Sequence, residues 1–302
     1  MSIRRPLSAR KTNPVENQSM KCKICGAQAL AFFGQKADRA YYRCPICRTV
    51  SLFPEPSGEE LKTYYNSLPL NYREAMEQSH SNAVKFSYLY KKYLAPYIDG
   101  HGPDPTCLLD IGCFSGDFLD ICRRQGLSRL CGFEVNETAG NILKKKNIPF
   151  IADDFLTSTR FGRSEIDVIC MLDVIEHVKE PLAYLVKAYE LLKKGGYLIM
   201  TSPDGSSIFA RTMGRRWPVF DGLEHLQIFT AETMNQTLGR LRFKIVKTSR
   251  LLKRTSADYF FKIIAAWSFK KRKNRKRKSE SFFPGKLPLT FYAGEFFVIA
   301  QK

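Results

Sequence analysis

One stretch constrains this chain more than any other. Leu108-Leu109-Asp110-Ile111-Gly112-Cys113-Phe114-Ser115-Gly116-Asp117-Phe118-Leu119 is an apolar run that feeds a glycine-bearing turn and opens into a helical pattern. A parallel strand ending in small residues lets the backbone approach a ligand, and the helix that follows offers free N–H groups. Glycine at 112 and 116 tolerates that approach. The spacing Asp-x-Gly-x-x-x-Gly departs from the Gly-x-Gly-x-x-Gly that suits a pyrophosphate, and Asp110 would repel a phosphate. A cationic, phosphate-free ligand fits better.

Carboxylates then recur at successive strand ends. Leu130-Cys131-Gly132-Phe133-Glu134 reads as a short strand closing on an acid about 20 residues after the turn, where a carboxylate can accept ribose hydroxyls. Ile148 to Ile151 is apolar and leads to Asp153 and Asp154, and Ile166 to Met171 runs into Leu172-Asp173-Val174-Ile175-Glu176-His177-Val178. Leu191 to Met200 reads as a helix end, a glycine stop and a further strand. This alternation predicts an α/β fold, a Rossmann-like, doubly wound, mostly parallel sheet with its ligands at the carboxyl ends of the strands.

On these residues the segment from roughly 105 to 250 resembles the class I S-adenosylmethionine-dependent methyltransferases, with the first turn similar to their motif I. Their cofactor carries an adenosine, a sulfonium and an amino-acid tail and has no phosphate. The resemblance implies that Asp110, Gly112, Cys113, Ser115 and Gly116 form the cofactor turn, with Ser115 and the glycine backbone at the methionine tail. It assigns Glu134 to the ribose and Asp153, in better alignment than Asp154, to the adenine. Leu172 opens the motif IV turn. The same fold ends in antiparallel strands, which pairs Phe243–Val246 with Phe296–Ala300.

Before this core stand two Cys-x-x-Cys knuckles, Cys22/Cys25 and Cys44/Cys47. Their spacing fits a four-thiolate zinc ribbon, and four sulfurs leave no open position for water, so the expected role of Zn2+ is structural. Paired disulfides would need an oxidising compartment, and no secretory signal supports one. The expectation is a reduced, cytoplasmic protein. The expected organisation is a basic N-terminus (1–20), the ribbon (21–53), a helical linker or lid (54–104), the methyltransferase core (105–250), an apolar and basic insertion (251–290) and a final core strand (291–302). In the lid, Ser57 is a candidate helix cap and Tyr65 and Tyr72 are secondary site candidates, the aromatics from Tyr64 to Tyr93 otherwise reading as packing residues.

Methyl transfer from a sulfonium is an in-line displacement, so a hydroxyl acceptor needs a base. Of the four histidines, His177 and His225 sit where a base would be useful. The insert from Ser202 through Trp217-Pro218 to His225 follows the fifth strand, and Trp217, Phe220, Asp221 and His225 are candidates to line an acceptor pocket. This stretch and the four-cysteine element together resemble methyltransferases of glycan and polysaccharide biosynthesis. That implies transfer to oxygen or carbon of a glycan, nucleotide-sugar or lipid-linked acceptor. Motif IV lacks the Asn-Pro-Pro-Tyr type of sequence and any Pro-Cys pair, which disfavours two classes of base methylation.

Charge leaves the partner open. Lys plus Arg number 48 against 29 Asp plus Glu, a net charge of +19, and residues 270–278 are Lys-Lys-Arg-Lys-Asn-Arg-Lys-Arg-Lys. An RNA methyltransferase gripping nucleic acid with ribbon and basic surface is one alternative. A non-catalytic cofactor-binding interaction module is another. The basic run follows the apolar stretch Tyr259 to Phe269, and apolar anchoring beside basic charge is the usual pairing for anionic membrane surfaces. The segment 259–278 is therefore expected at the inner membrane surface as a peripheral contact. No run of 18 apolar residues occurs, so no spanning helix is expected.

Overall fold

The computed structural model describes residues 20–67, 82–99, 106–256 and 288–302. Tyr72 and the segment 259–278 lie outside the described residues. The chain adopts the expected α/β architecture: a seven-stranded, mostly parallel sheet, with a small antiparallel sheet beside it that carries the cysteine knuckles.

The parallel part of the large sheet is built from β4 (Cys107–Ile111), β5 (Arg129–Phe133), β6 (Phe150–Ile151), β7 (Ile166–Leu172) and β8 (Leu192–Pro203). Their near-continuous apolar sequences match burial on both faces: Leu108, Leu109, Val168, Ile169 and Cys170 are all fully buried. Helices α3 (Asp117–Arg124), α4 (Glu137–Lys145) and α5 (Pro181–Leu191) make the crossovers. Asn136 caps α4 by accepting the Ala139 N–H at 2.8 Å, and Pro181 opens α5 at a position where no N–H is needed.

Two antiparallel strands close the sheet, β10 (Lys244–Ser256) and β11 (Pro288–Gln301), in the order β10-β11-β8-β7-β4-β5-β6. Ile245 pairs with Ala300 and Val298 with Met200, so Phe243–Val246 and Phe296–Ala300 do meet along one edge. Both strands run further than the sequence suggested, and their pairing persists to Ser256 and Pro288, within the interval read as an insertion. Residues 82–89 are helical and pass through a π-helical turn at Tyr90–Leu94 into α2 (Ala95–Ile98). That element buries Leu89, Tyr93, Leu94 and Ile98 against the sheet.

The small sheet contains β1 (Ala31–Lys36), β2 (Arg39–Arg43) and β3 (Val50–Phe53), and then borrows β9 (Gln227–Ile228) from the region after β8. Val50 pairs with Ile228 and Ser51 with Gln227. The small sheet is thus continuous with the segment that follows β8. Alternation along β2 places Tyr42 in the large core beside Phe229 and Met234, and Tyr41 in a second cluster with Trp217, Phe220 and Leu226. Short helices α6 (Ile208–Met213) and α7 (Ala231–Arg240) flank β9, and α1 (Gly58–Ser67) leads from the ribbon back toward the large sheet. Ser57 caps α1 as its sequence suggests: its Oγ accepts the Glu60 N–H at 3.0 Å while Glu60 accepts the Ser57 N–H at 2.6 Å, a capping box. Among the described residues no helix is long and apolar enough to cross a membrane.

Candidate active site

A cleft of about 820 Å³ opens at the carboxyl ends of β4 to β7. Its floor is the glycine turn. Gly112 sits at φ +68°, and its N–H and that of Cys113 both donate to the Phe133 carbonyl, so the turn curls onto the end of β5. The Phe114 N–H donates to Glu134 at 2.7 Å, and the other Glu134 oxygen accepts the Asn136 N–H at 2.7 Å. Burial raises the Glu134 carboxyl above its ordinary range, against those two backbone donors. Glu134 is held rigidly at the cleft wall with lone pairs to spare.

Of the residues singled out from sequence for the cofactor, Gly112, Glu134, Asp153, Asp154 and Leu172 line this cleft. Four others lie beneath it. Asp110 is buried, and desolvation together with the Glu134 charge pushes its carboxyl well up. Cys113 packs against Gly132, where a side chain would meet its Sγ at 2.3 Å. The Ser115 hydroxyl donates to Asp117 at 2.9 Å rather than facing the cleft. Gly116, at φ +71°, is demanded by packing, because a Cβ there would lie 2.5 Å from Leu143 and 2.6 Å from Ile148. Asp154 is also partly occupied, accepting the Leu156 N–H at 2.7 Å and the Tyr184 hydroxyl at 3.1 Å. The opposite wall comes from α1, through Leu61, Lys62 and Tyr65, whose carbonyl accepts Asn136 Nδ2 at 2.8 Å.

Six acids face the cleft, Glu134, Asp153, Asp154, Asp173, Glu180 and Glu224, against the lysines Lys62 and Lys179. That donor set suits a cationic, phosphate-free ligand with vicinal hydroxyls, and S-adenosylmethionine meets the description. Asp173 is fixed at φ +58° beside the cleft. Its oxygens accept Thr201 Oγ1 at 2.7 Å and Lys85 Nζ at 3.3 Å, and against partial desolvation the two lysines Lys85 and Lys253 hold it below the usual carboxylate range.

The histidines come together at one end of the cleft. His177 lies in the wall, and His225 stands behind it with ring centroids 4.7 Å apart. His177 Nδ1 is 2.9 Å from the Glu224 carbonyl; a carbonyl only accepts, so Nδ1 carries the proton and Nε2 keeps a lone pair. Burial and the neighbouring His225 lower the His177 imidazole to about 4, so it is neutral near pH 7. His225 Nδ1 pairs with Asp221 Oδ2, and that carboxylate outweighs desolvation to raise the imidazole. Glu176, next to them and 1% exposed, is pushed up to about 8 by burial and by Asp173.

Sequence reasoning missed Glu176 and Glu224, though each immediately precedes a histidine that it singled out. Trp217 and Phe220, expected to line an acceptor pocket, are instead 2% exposed and packed with Tyr41 of the ribbon. Their apolar surfaces are used to dock the insert onto the small sheet.

At the knuckles, Cys22 and Cys47 sulfurs lie 3.5 Å apart, Cys25 and Cys44 likewise, and all four within 4.8 Å of one another. Each knuckle closes on a left-handed residue four places after its first cysteine, Gly26 at φ +75° and Arg48 at φ +67°. Four convergent thiols form one candidate metal-binding cluster.

A profile described as a methyltransferase domain matches residues 83–248, more than half of the chain. The chain belongs to the S-adenosylmethionine-dependent methyltransferase family. Among curated proteins it is 32% identical over 108 residues to a ubiquinone biosynthesis O-methyltransferase of Cereibacter sphaeroides, covering 32% of this chain and 40% of that protein. A protein of the same name from Dinoroseobacter shibae is 28% identical over 135 residues, covering 40% of this chain and 52% of the relative. The chain therefore spans about half or less of the curated relatives it matches. Its fold is similar to an S-adenosylmethionine-dependent methyltransferase from Archaeoglobus fulgidus, at TM-score 0.52, 20% identity, 76% of this chain and 99% of the other. It is also similar to the 1,6-didemethyltoxoflavin-N1-methyltransferase of Burkholderia thailandensis, at TM-score 0.50, 13% identity, 90% of this chain and 99% of the other.

Proposed function

We propose that this methyltransferase acts on a hydroxyl oxygen, with His177 as the base, on a glycan-type acceptor that is soluble or lipid-linked. The observation that carries the reading is the neutral His177 in the cleft wall with its Nε2 lone pair unprotonated. S-Adenosylmethionine supplies an electrophilic methyl group on its sulfonium. Gly112 and the turn backbone would meet the cofactor's methionine tail, Glu134 its ribose and Asp153 its adenine. His177 Nε2 would take the hydroxyl proton as the oxygen bonds to the methyl carbon and the S–CH3 bond breaks, the sulfur leaving as a neutral thioether, and positioning of the two reactants supplies most of the rate. The His225–Asp221 pair stands behind that imidazole, and the Glu224 carbonyl orients it. The O-methyl transfer named in the curated relatives agrees with a cleft equipped to remove a proton. The glycan-type acceptor rests on the sequence resemblance alone.

The four cysteines would hold Zn2+ as thiolates in a closed tetrahedral site, a structural one that leaves acceptor chemistry to the cleft. The basic segment 259–278 would then serve an anionic membrane surface where a lipid-linked acceptor resides. The test incubates the protein with methyl-labelled S-adenosylmethionine and separated cell fractions. Label in a glycan, nucleotide-sugar or lipid-linked fraction supports the reading, whereas label in RNA overturns it and recasts the +19 charge as a nucleic-acid grip.

A further inference from the structure

The turn that carries Asp221, Glu224 and His225 is held by the ribbon. Gly222 is at φ +87° and so close to β1 that an added Cβ would lie 3.1 Å from the Lys36 carbonyl oxygen and side chain. From β2, the Tyr41 hydroxyl accepts the Gly222 N–H at 3.0 Å and lies 3.4 Å from the His225 carbonyl, to which it donates. The ring beneath that hydroxyl is 1% exposed and meets Phe220 edge-on, with centroids 4.9 Å apart. Further along, the Leu52 N–H donates to the Leu226 carbonyl at 2.9 Å and Ser51 Oγ to Gln227 at 2.6 Å. One buried phenol thus ties both ends of a short turn, and between its two attachment points stands the Glu224 carbonyl that accepts His177 Nδ1–H.

We infer that Tyr41 is a positioning residue: its hydroxyl fixes the Glu224 carbonyl and thereby holds His177 with Nδ1 protonated and Nε2, 3.9 Å from Glu176 Oε1, free of a proton. This rests on the reading of His177 as the base, but the contact itself is independent of that reading. Removing the hydroxyl leaves the Gly222 N–H and the His225 carbonyl without their partner and frees the turn to shift. His177 then loses the acceptor that selects its tautomer. The ribbon is on this view part of the machinery that presents the base, and the Tyr41 O–H is its contact to both ends of the turn that carries Glu224.

The test is Tyr41→Phe in the full chain, which keeps the ring and removes only the oxygen. With four histidines in the sequence, the ring nitrogens can be followed individually by long-range proton–nitrogen spectra. In the parent, His177 should be wholly Nδ1-protonated; in Tyr41→Phe that signature should be lost in favour of a tautomer mixture. The affinity for S-adenosylhomocysteine, measured by calorimetry, should be unchanged, since Glu134 and Gly112 are untouched. An unaltered His177 signature in the variant overturns the inference, and so does a changed signature accompanied by an equal loss of cofactor affinity, which would mean general loosening. If Tyr41→Phe does not fold, hydrogen exchange of the Gly222 N–H in the parent decides: strong protection is expected, and exchange at the rate of an open loop overturns the contact. Failure of the base reading has a different sign, His177→Ala retaining full turnover while the Tyr41→Phe spectra still change.

Discussion

His177 and His225 lie ring to ring, with centroids 4.7 Å apart and planes inclined at 41°, and their surroundings push the two imidazoles in opposite directions. His177 is held neutral by burial and by its neighbour's charge, while His225 is lifted by Asp221 against its own desolvation. Groups whose environments separate their proton affinities are the usual raw material for acid–base work.

The first expectation concerns His177. His177→Ala should lower turnover on the labelled acceptor by roughly a hundredfold or more, the usual contribution of a positioned base. Affinity for S-adenosylhomocysteine should stay within about twofold, because the residues proposed to hold the cofactor, Gly112, Glu134 and Asp153, are left in place. Steady-state rates and calorimetry on the same preparation make the comparison, and a parallel fall in both would remove His177 from the chemistry.

Glu134 carries the complementary expectation. Its carboxylate accepts two backbone N–H groups and faces the cleft, so Glu134→Ala removes the proposed ribose contact and loosens the turn at Phe114. With charge-assisted hydrogen bonds worth about 1.5–3 kcal/mol, cofactor affinity should fall by roughly ten- to a hundredfold. Unchanged affinity would show that the ribose is held elsewhere.

Much of this arrangement was legible from the chain because its signals are local. The glycine turn, the acids at strand ends and the alternation of strands with helices each occupy a dozen residues or fewer. What escaped depended on distant packing. Ser115 and Cys113 belong to the right turn, yet a turn has two sides, and only the neighbours Asp117 and Gly132 decide which side faces the ligand. Trp217 and Phe220 carry the same apolar signal whether they line a pocket or fill a seam, and the seam exists only because β3 pairs with β9. Glu176 and Glu224 read as ordinary surface acids until the turn after β8 folds back onto motif IV, where the Leu226 and Gln227 N–H groups donate to the Glu176 carbonyl.

Glu176 makes stability depend on pH. Its carboxyl ionises near 4.5 when unfolded and near 8 when folded, raised by burial and by Asp173. Between those values the folded chain keeps a proton that the unfolded chain has lost. The group's contribution is therefore fully present below pH 4.5 and is lost as pH rises through 8. Glu176→Gln mimics the protonated form and should remove this loss. Relative to the parent, the variant should gain roughly 1 kcal/mol per pH unit on average between pH 6.5 and 8, the full slope of about 1.4 kcal/mol per unit fading as the folded carboxyl begins to ionise. Calorimetric Tm values at the two ends test it; an equal offset at both would mean that Glu176 is ionised in the folded chain.

The ribbon should be inseparable from the rest of the fold. Cys22, Cys44 and Cys47 belong to the same buried cluster as Phe229 and Met234, and Thr233 Oγ1 donates to the Cys47 carbonyl. Lys23, between the knuckle cysteines, bonds Glu55 at 2.9 Å and the Lys179 carbonyl at 2.8 Å, at the edge of the cleft. If the four thiolates hold Zn2+, the purified chain contains about one metal per molecule, and Cys44→Ser lowers both metal content and Tm together, because metal binding to such sites is folding free energy. The loss should be a single cooperative transition lowered as a whole, since β9 joins the two sheets. Two separated transitions in Cys44→Ser, the upper one matching the parent, would instead make the ribbon an independent unit and detach it from the presentation of His177.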